Sequence, residues 1–331
     1  MHAASDPSIA LPDALPLLRA RVTLRLLEDA ALPAYKGAML RGGFGYAFQR
    51  VTCPSLCWGR SEQCAVESLC PYRWVFETPR PAGVERLHDL QDIPRPFVLE
   101  PPTDGRVEYA AGEALEFGLV LIGRGVEYLP YFLFGFEQFG RAGLGRQHAR
   151  AWLERVEALP AWAPVGEAIY QDGRALADAH ALPLIDGATI AARAAALPAD
   201  LRLTLLSPLR LKARGDFLRA LDVPALVQAA CWRLHTLALF HGGGAWEVDH
   251  RRLIEQARAV GVEQAQLRWL DLLRTSTRGP RQETMPQGGL LGSAVLRGVS
   301  EDVRAVLLAG SVIHVGKACT FGHGGYGLSV V

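Results

Sequence analysis

The sequence predicts an α+β protein built from two tandem βαββαβ domains. Three observations carry that prediction. Alternating strands open and close each half, each half holds two segments at helical spacing, and one order of elements occurs twice. The chain's 331 residues are enough for two domains of ordinary size. Half of them are hydrophobic and 21% are charged, which excludes global disorder.

In the first domain, read as residues 1–158, Ala20, Val22, Leu24 and Leu26 alternate with Arg19, Arg21, Thr23 and Arg25. This is a strand with a basic outer face. Pro33 sits where a helix can start, and Leu40, Phe44, Ala47, Phe48 and Val51 predict a helix over 34–51. Gly42, Gly43 and Gly45 lie inside it. Each costs about 1 kcal/mol relative to Ala, which implies close approach by a ligand or by a packed neighbour. After a Cys-rich insertion at 53–72, an extended run over 95–100 ends at Pro101-Pro102. Leu115, Phe117, Leu119 and Leu121 mark the next strand, 126–139 reads as a helix, and 152–156 as a strand after the loop 140–146.

Residues 159–200, rich in Ala and Pro, read as a linker carrying one helix. The second domain, 201–331, opens on the alternating Leu201, Leu203 and Leu205. Asp222-Val-Pro224 starts a helix striped by Leu226, Ala230, Leu234 and Leu237 and ended by three glycines, 242–244. Segments 267–278 and 289–297 form the expected hairpin. Ser300, followed by Glu301 and Asp302, caps a helix stopping near Gly310, and 328–331 is the last strand.

The formal net charge is +1, so an anionic partner must be held by a local patch. Only three of the 35 basic residues are Lys: Lys36, Lys212 and Lys317. Five glycines (Gly316, Gly322, Gly324, Gly325, Gly327) surround Lys317, His314 and His323. Glycines let successive amides face one concavity, so this tail is expected to form an amide-lined cup for phosphate oxygens. It is neither a Walker loop nor a Rossmann fingerprint. Arg210, Lys212 and Arg214 alternate along an extended stretch, a natural clamp for a nucleic-acid backbone that Arg278 and Arg281 would extend.

Cys53, Cys57, Cys64 and Cys70 are spaced C-x3-C-x6-C-x5-C. Four thiolates suit a structural tetrahedral zinc site or an iron–sulfur cluster, and ordinary thiols remain the third reading. Cys231 and Cys319 lie apart and are expected in the core. The N-terminus lacks a basic segment followed by a long apolar one, and no uncharged apolar run reaches 18 residues. A cytoplasmic protein without a membrane span is therefore expected.

The glycine-rich tail resembles the signature of the RAMP superfamily. Several further segments resemble the sixth CRISPR-associated (Cas) protein family, the repeat-RNA endoribonucleases. They are Leu32–Gly45, Tyr128-Leu-Pro-Tyr131 with the Gly143-Leu-Gly-Arg146 loop, Ser207-Pro-Leu-Arg-Leu-Lys212, and His314-Val-Gly-Lys317. The resemblance implies two ferredoxin-like (RRM-like) folds, binding of a repeat hairpin or its flank, retention of the processed guide RNA, and partners in a CRISPR effector complex. It implies attack by a 2′-hydroxyl on its adjacent phosphate, leaving a cyclic phosphate and a 5′-hydroxyl, with no cofactor for catalysis. Family members often place a His with Tyr and Lys near the first helix; here residues 3–87 hold no His, and that helix offers Tyr35, Lys36 and Arg41. The base is accordingly expected at His314, with His241 and His323 next, and Lys36 and Lys317 as charge stabilisers. A non-catalytic RAMP subunit holding guide RNA as a scaffold is the competing expectation.

Overall fold

The computed structural model describes residues 9–12, 14–58, 70–80, 84–90, 92–176, 181–213, 215–276 and 283–331. Cys64, Arg214, Arg278 and Arg281 lie outside these. The chain is mixed α+β with antiparallel sheets, and it divides into two compact units.

The N-terminal unit comprises Ala14–Ile185 and Thr236–Gly244. In chain order it holds β1 (Leu17–Leu26), β2 (Ala30–Ala31), α1 (Gly37–Thr52), β3 (Phe97–Glu100), β4 (Glu108–Tyr109) and β5 (Ala114–Ile122). Then come α2 (Leu129–Ala142), β6 (Ala151–Leu159), β7 (Glu167–Gln171) and β8 (Arg174–Ala175). The main sheet runs β3-β5-β1-β6-β7-β8, with Val22 of β1 facing Phe117 on one side and Val156 on the other. The alternation of β1 is real: Leu18, Ala20, Val22, Leu24 and Leu26 are buried. The basic outer face is neutralised, however, because Arg19, Arg21 and Arg25 lie 3.9, 3.6 and 2.6 Å from Glu100, Glu157 and Glu154.

Phe44 and Phe48 of α1 meet Phe132 and Phe136 of α2, with the Phe44 and Phe136 rings 4.4 Å apart. The helix glycines serve this packing. A Cβ at Gly43 would lie 2.3 Å from Phe139, and one at Gly135 would lie 2.8 Å from Phe44. Close approach at Gly43 thus comes from a neighbouring helix, while Gly42 faces open space.

The C-terminal unit comprises Met1–Asp13, Asp186–His235 and Ala245–Val331. It holds α3 (Gly187–Ala196), β9 (Leu201–Leu209), β10 (Lys212–Ala213), β11 (Asp216–Phe217), α4 (Val223–His241), α5 (His250–Arg258) and β12 (Gly261–Leu270). β13 (Leu273–Ser276), β14 (Glu283–Pro286), β15 (Gly289–Arg297), α6 (Glu301–Ile313) and β16 (Tyr326–Val330) follow. Residues of α4 from Thr236 onward belong to the N-terminal unit. Helix α4 is long and apolar enough to cross a bilayer, yet Leu226, Val227, Ala230, Cys231 and Leu234 are buried, as in a core helix.

The sheet runs β12-β15-β9-β16, the strand order that β3-β5-β1-β6 shows in the other unit. Ser300 Oγ caps α6 by accepting from Val303 N, but α6 continues past Gly310 to Ile313.

Residues 159–200 are not a linker. Strand β7 pairs with β6, α3 is capped by Asp186, and the boundary falls at Ile185/Asp186. Ala and Pro content hid this, since a short edge strand and a ten-residue helix need little apolar sequence. The expected hairpin is likewise split: β12 pairs with β15, while β13 and β14 form a separate ladder beyond it.

Candidate nucleic-acid interface

The glycine-rich tail folds between α6 and β16 as a tightly packed turn rather than an open cup. Its amides are donated within the protein. Val315 N bonds the Gly324 carbonyl, Lys317 N the Arg210 carbonyl, Gly324 N the Pro208 carbonyl, and Gly325 N the Ser207 hydroxyl. The glycines are there because backbone approaches closely. A Cβ at Gly316 (φ +98°) would lie 2.5 Å from the Arg210 carbonyl oxygen, and one at Gly324 (φ +75°) 1.8 Å from that of Val315. A Cβ at Gly325 would meet the His314 ring at 2.7 Å. Gly322 bonds the Cys319 carbonyl, and Gly327 pairs with Thr204 in the sheet. Only the stretch around Lys317 stays open, with Lys317 exposed between half-buried Gly316 and Ala318.

The two histidines of this tail are buried, His314 to 3% exposure and His323 to 0%. His314 Nδ1 donates to the His323 carbonyl at 2.9 Å, and His323 Nε2 donates to the Gln287 carbonyl at 3.0 Å. Because a carbonyl only accepts, these bonds fix which ring nitrogen carries the proton. Burial pushes the His323 imidazole down to about 4, so it is neutral at pH 7.

Arg210, expected on the RNA, is 8% exposed and faces inward. Its Nη1 donates to the carbonyls of Pro286 (3.0 Å) and Gly288 (3.1 Å), its guanidinium lies 4.4 Å from the centre of the Phe217 ring, and burial lowers its pKa. Lys212 is exposed, with Nζ 5.0 Å from the centre of the same ring. The sequence reading missed the neighbours that complete this cluster. Phe217 lies 6.4 Å from Trp269, and the exposed Arg219 stacks 3.7 Å above the Trp269 ring. Their only sequence signal is an aromatic and two cations around the β10–β11 turn.

In the N-terminal unit, Lys36 is fully buried ahead of α1. Its Nζ donates to the Arg106 carbonyl, lies 3.8 Å from Asp104 and 5.4 Å from the Tyr109 ring centre, and burial lowers its pKa. Lys36, expected as a charge stabiliser for the reaction, is here an internal anchor. Tyr35 is half-buried beside it in sequence, and half-buried Arg41 stacks over Phe76 at 4.7 Å. His241 is also an anchor, its Nε2 donating to the Pro94 carbonyl at 2.7 Å.

Among the described histidines only His88 and His148 are exposed. His148 stands at φ +53°, a conformation a non-glycine residue adopts at a cost of roughly 1 kcal/mol. Its loop is closed by the Leu144–Ala149 bridge and rests on the lead-in to α1. There Ala31 N donates to Gln147 Oε1, and a Cβ at Gly145 would lie 3.0 Å from Leu32.

Cys53 and Cys70 bring their sulfurs to 3.8 Å, and Cys57 is buried nearby in the chain. Burial and the neighbouring thiols push Cys53 up to about 12. Among the described residues no three His, Cys, Asp or Glu side chains are placed to hold a metal ion, and Cys64, the fourth expected ligand, lies outside them. Cys231 and Cys319 are buried, as core residues should be.

Comparison with known proteins decides the family. The model described as AF_1859_N, N-terminal domain, matches residues 15–182, and that of the CRISPR-associated endoribonuclease Cas6 matches residues 203–326. Residues 203–326 are of the Cas6 type. The chain's first half belongs to the AF_1859_N family. An uncharacterised protein of Archaeoglobus fulgidus is 30% identical over 113 residues, 34% of this chain and 37% of that protein.

Among solved structures, a partial Cas6-RT-Cas1–Cas2 complex matches at TM-score 0.59 and 16% identity, covering 96% of this chain and 47% of that one. Thermus thermophilus Cas6 matches at TM-score 0.53 and 15% identity, covering 95% and 99%. A Cas6 product complex matches at TM-score 0.54 and 16% identity, covering 95% and 100%. At these identities the likeness is one of fold. The chain spans under half of the first of these structures, and the aligned stretch is little over a third of the archaeal relative.

Proposed function

We propose that this chain processes CRISPR repeat RNA, cutting by 2′-hydroxyl attack without a catalytic metal and leaving a cyclic phosphate and a 5′-hydroxyl. The observation that carries the reading is the match of residues 203–326 to the endoribonuclease family. The shared strand order of the two units supports reading them as tandem ferredoxin-like domains. Structures of Cas6 product complexes and of a Cas6-RT-Cas1–Cas2 complex support RNA and CRISPR proteins as partners.

In this reading the acid–base group is His148. A base must reach the 2′-hydroxyl, which an exposed imidazole does and the buried His314 ring does not. Its loop packs on Ala31 and Leu32, just before Tyr35. Lys317, exposed on the tail of the C-terminal unit, is a cation available to the RNA backbone, while buried Lys36 holds the entrance to α1. The burial of His314 and Lys36 also favours a second reading, a non-catalytic subunit that holds guide RNA. Incubating the protein with repeat RNA in EDTA separates them: a specific cut with a cyclic phosphate end supports the nuclease, and tight binding without a cut supports the scaffold.

A further inference from the structure

Many of the described arginines pair with carboxylates. Arg25 pairs with Glu154, Arg106 with Glu113, Arg150 with Glu28, and Arg297 with both Asp200 and Glu263. The cluster around the β10–β11 hairpin departs from this. Lys212 and Arg219 are both exposed, and the contacts their cations make among the described residues are with aromatic rings. Aromatic rings take the carboxylates' place, Phe217 under Lys212 and Trp269 under Arg219. An aromatic face orders a cation without cancelling its charge, so the charge remains available to a third party.

The rings are held firmly from behind. Trp269 Nε1 donates to Asp271 at 3.0 Å, which fixes the indole in its plane. The turn 286–288 backs the indole: a Cβ at Gly288 would lie 2.8 Å from Trp269 Nε1, so only glycine leaves the ring its place. That turn is gripped through three consecutive carbonyls, two by Arg210 and the middle one by His323. The scaffold orders Trp269, and the exposed Arg219 guanidinium lies 3.7 Å from the centre of that ring.

We propose that this cluster is a docking site for an unpaired RNA segment: one base stacks on the outer face of the Arg219 guanidinium, and flanking phosphates meet Arg219 and Lys212. Stacking of bases on guanidinium planes and aromatic rings is how single-stranded RNA is held where no duplex groove is available. A paired duplex has no free base face to offer, so the site selects unpaired nucleotides. Arg210 and His323 are positioning residues for it. The inference rests on the chain's being an RNA-binding protein and names which part of the RNA this surface takes.

The test measures binding of repeat RNA, of an unpaired oligoribonucleotide and of a paired duplex between 50 and 300 mM salt. Wild type, R219A, R219K, W269F and K212A are compared, with thermal melts to verify folding. R219A is expected to weaken the unpaired oligoribonucleotide about tenfold and to reduce the slope of log K against log salt by about 0.7, one single-strand phosphate contact. R219K should keep the slope and lose the affinity, because it keeps the charge and lacks the plane. W269F should fall between wild type and R219A, because a phenyl ring keeps a stacking face but loses the bond to Asp271, and K212A should weaken binding and reduce the slope together. Duplex binding should change only through the slope. Wild-type affinity in folded R219A, or an equal loss of affinity on the duplex, would overturn the inference. A wild-type protein that binds none of the three RNAs would sink the functional reading itself, a different outcome.

Discussion

Arg210 and His323 grip one turn from two sides. The guanidinium bonds the carbonyls of Pro286 and Gly288, and the imidazole bonds that of Gln287 between them. Both residues have the chemistry of a phosphate contact, and both are instead directed at the protein's own backbone. Removing either leaves a buried carbonyl without its donor, a loss on the order of 1–3 kcal/mol.

His323 makes stability depend on pH in a defined window. Its folded value is near 4 and its unfolded value near 6.5, so the unfolded state takes up the proton first as pH falls. The contribution is complete above pH 6.5, declines as pH falls toward 4, and is not regained below. Urea midpoints for wild type and His323→Asn should converge as pH drops from 7 to 4. Parallel curves would show that the buried ring does not titrate.

Lys36 should behave as a structural residue. Its buried ammonium serves the Arg106 carbonyl and Asp104, so Lys36→Ala should cost about 2 kcal/mol of stability. Cleavage per folded molecule should stay within a fewfold of wild type at low temperature. A thousandfold loss in a well-folded variant would return Lys36 to the reaction.

His148 and His314 should separate in kinetics. His148→Ala is expected to slow single-turnover cleavage about 100-fold or more with RNA affinity unchanged, the usual scale of a general acid or base. His148→Gly should lose cleavage equally while relieving the strained φ, gaining up to about 1 kcal/mol of stability. His314→Ala should lower stability and binding together. The reverse pattern would exchange their roles.

The paired thiols give a metal prediction. Tetrahedral zinc with Zn–S bonds of about 2.3 Å places its sulfurs about 3.8 Å apart, the spacing of Cys53 and Cys70. A thiol held up near 12 stays protonated at neutral pH unless a cation lies beside it. Elemental analysis should give one zinc per chain, lost in Cys53→Ser and Cys70→Ser. Metal-free protein whose thiols all react with Ellman's reagent on unfolding would contradict this.

Local patterns were readable in the sequence, and long-range pairings were not. The alternation from Ala20 to Leu26 and the stripe from Leu40 to Phe48 gave β1 and α1, because burial imposes their periods directly. Nothing near Arg19, Arg21 or Arg25 reveals that Glu100, Glu157 and Glu154 neutralise them from other strands. Helix α5 went unread since only Leu253 and Ala257 of its nine residues are buried, leaving the Asp249 cap as its signal. In the tail, His314, His323 and Arg210 turn inward onto the protein's own backbone, which their sequence context does not reveal. Glycine permits an open amide cup and a close backbone contact equally well, and only the tertiary structure decides between them.

The nuclease reading is tested most directly by incubating the intact protein with repeat RNA in EDTA and analysing the ends of the products. One defined cut is predicted, with a 2′,3′-cyclic phosphate on one fragment and a 5′-hydroxyl on the other. RNA that stays whole while tightly bound, or cutting that returns only when a divalent metal is added, would contradict it.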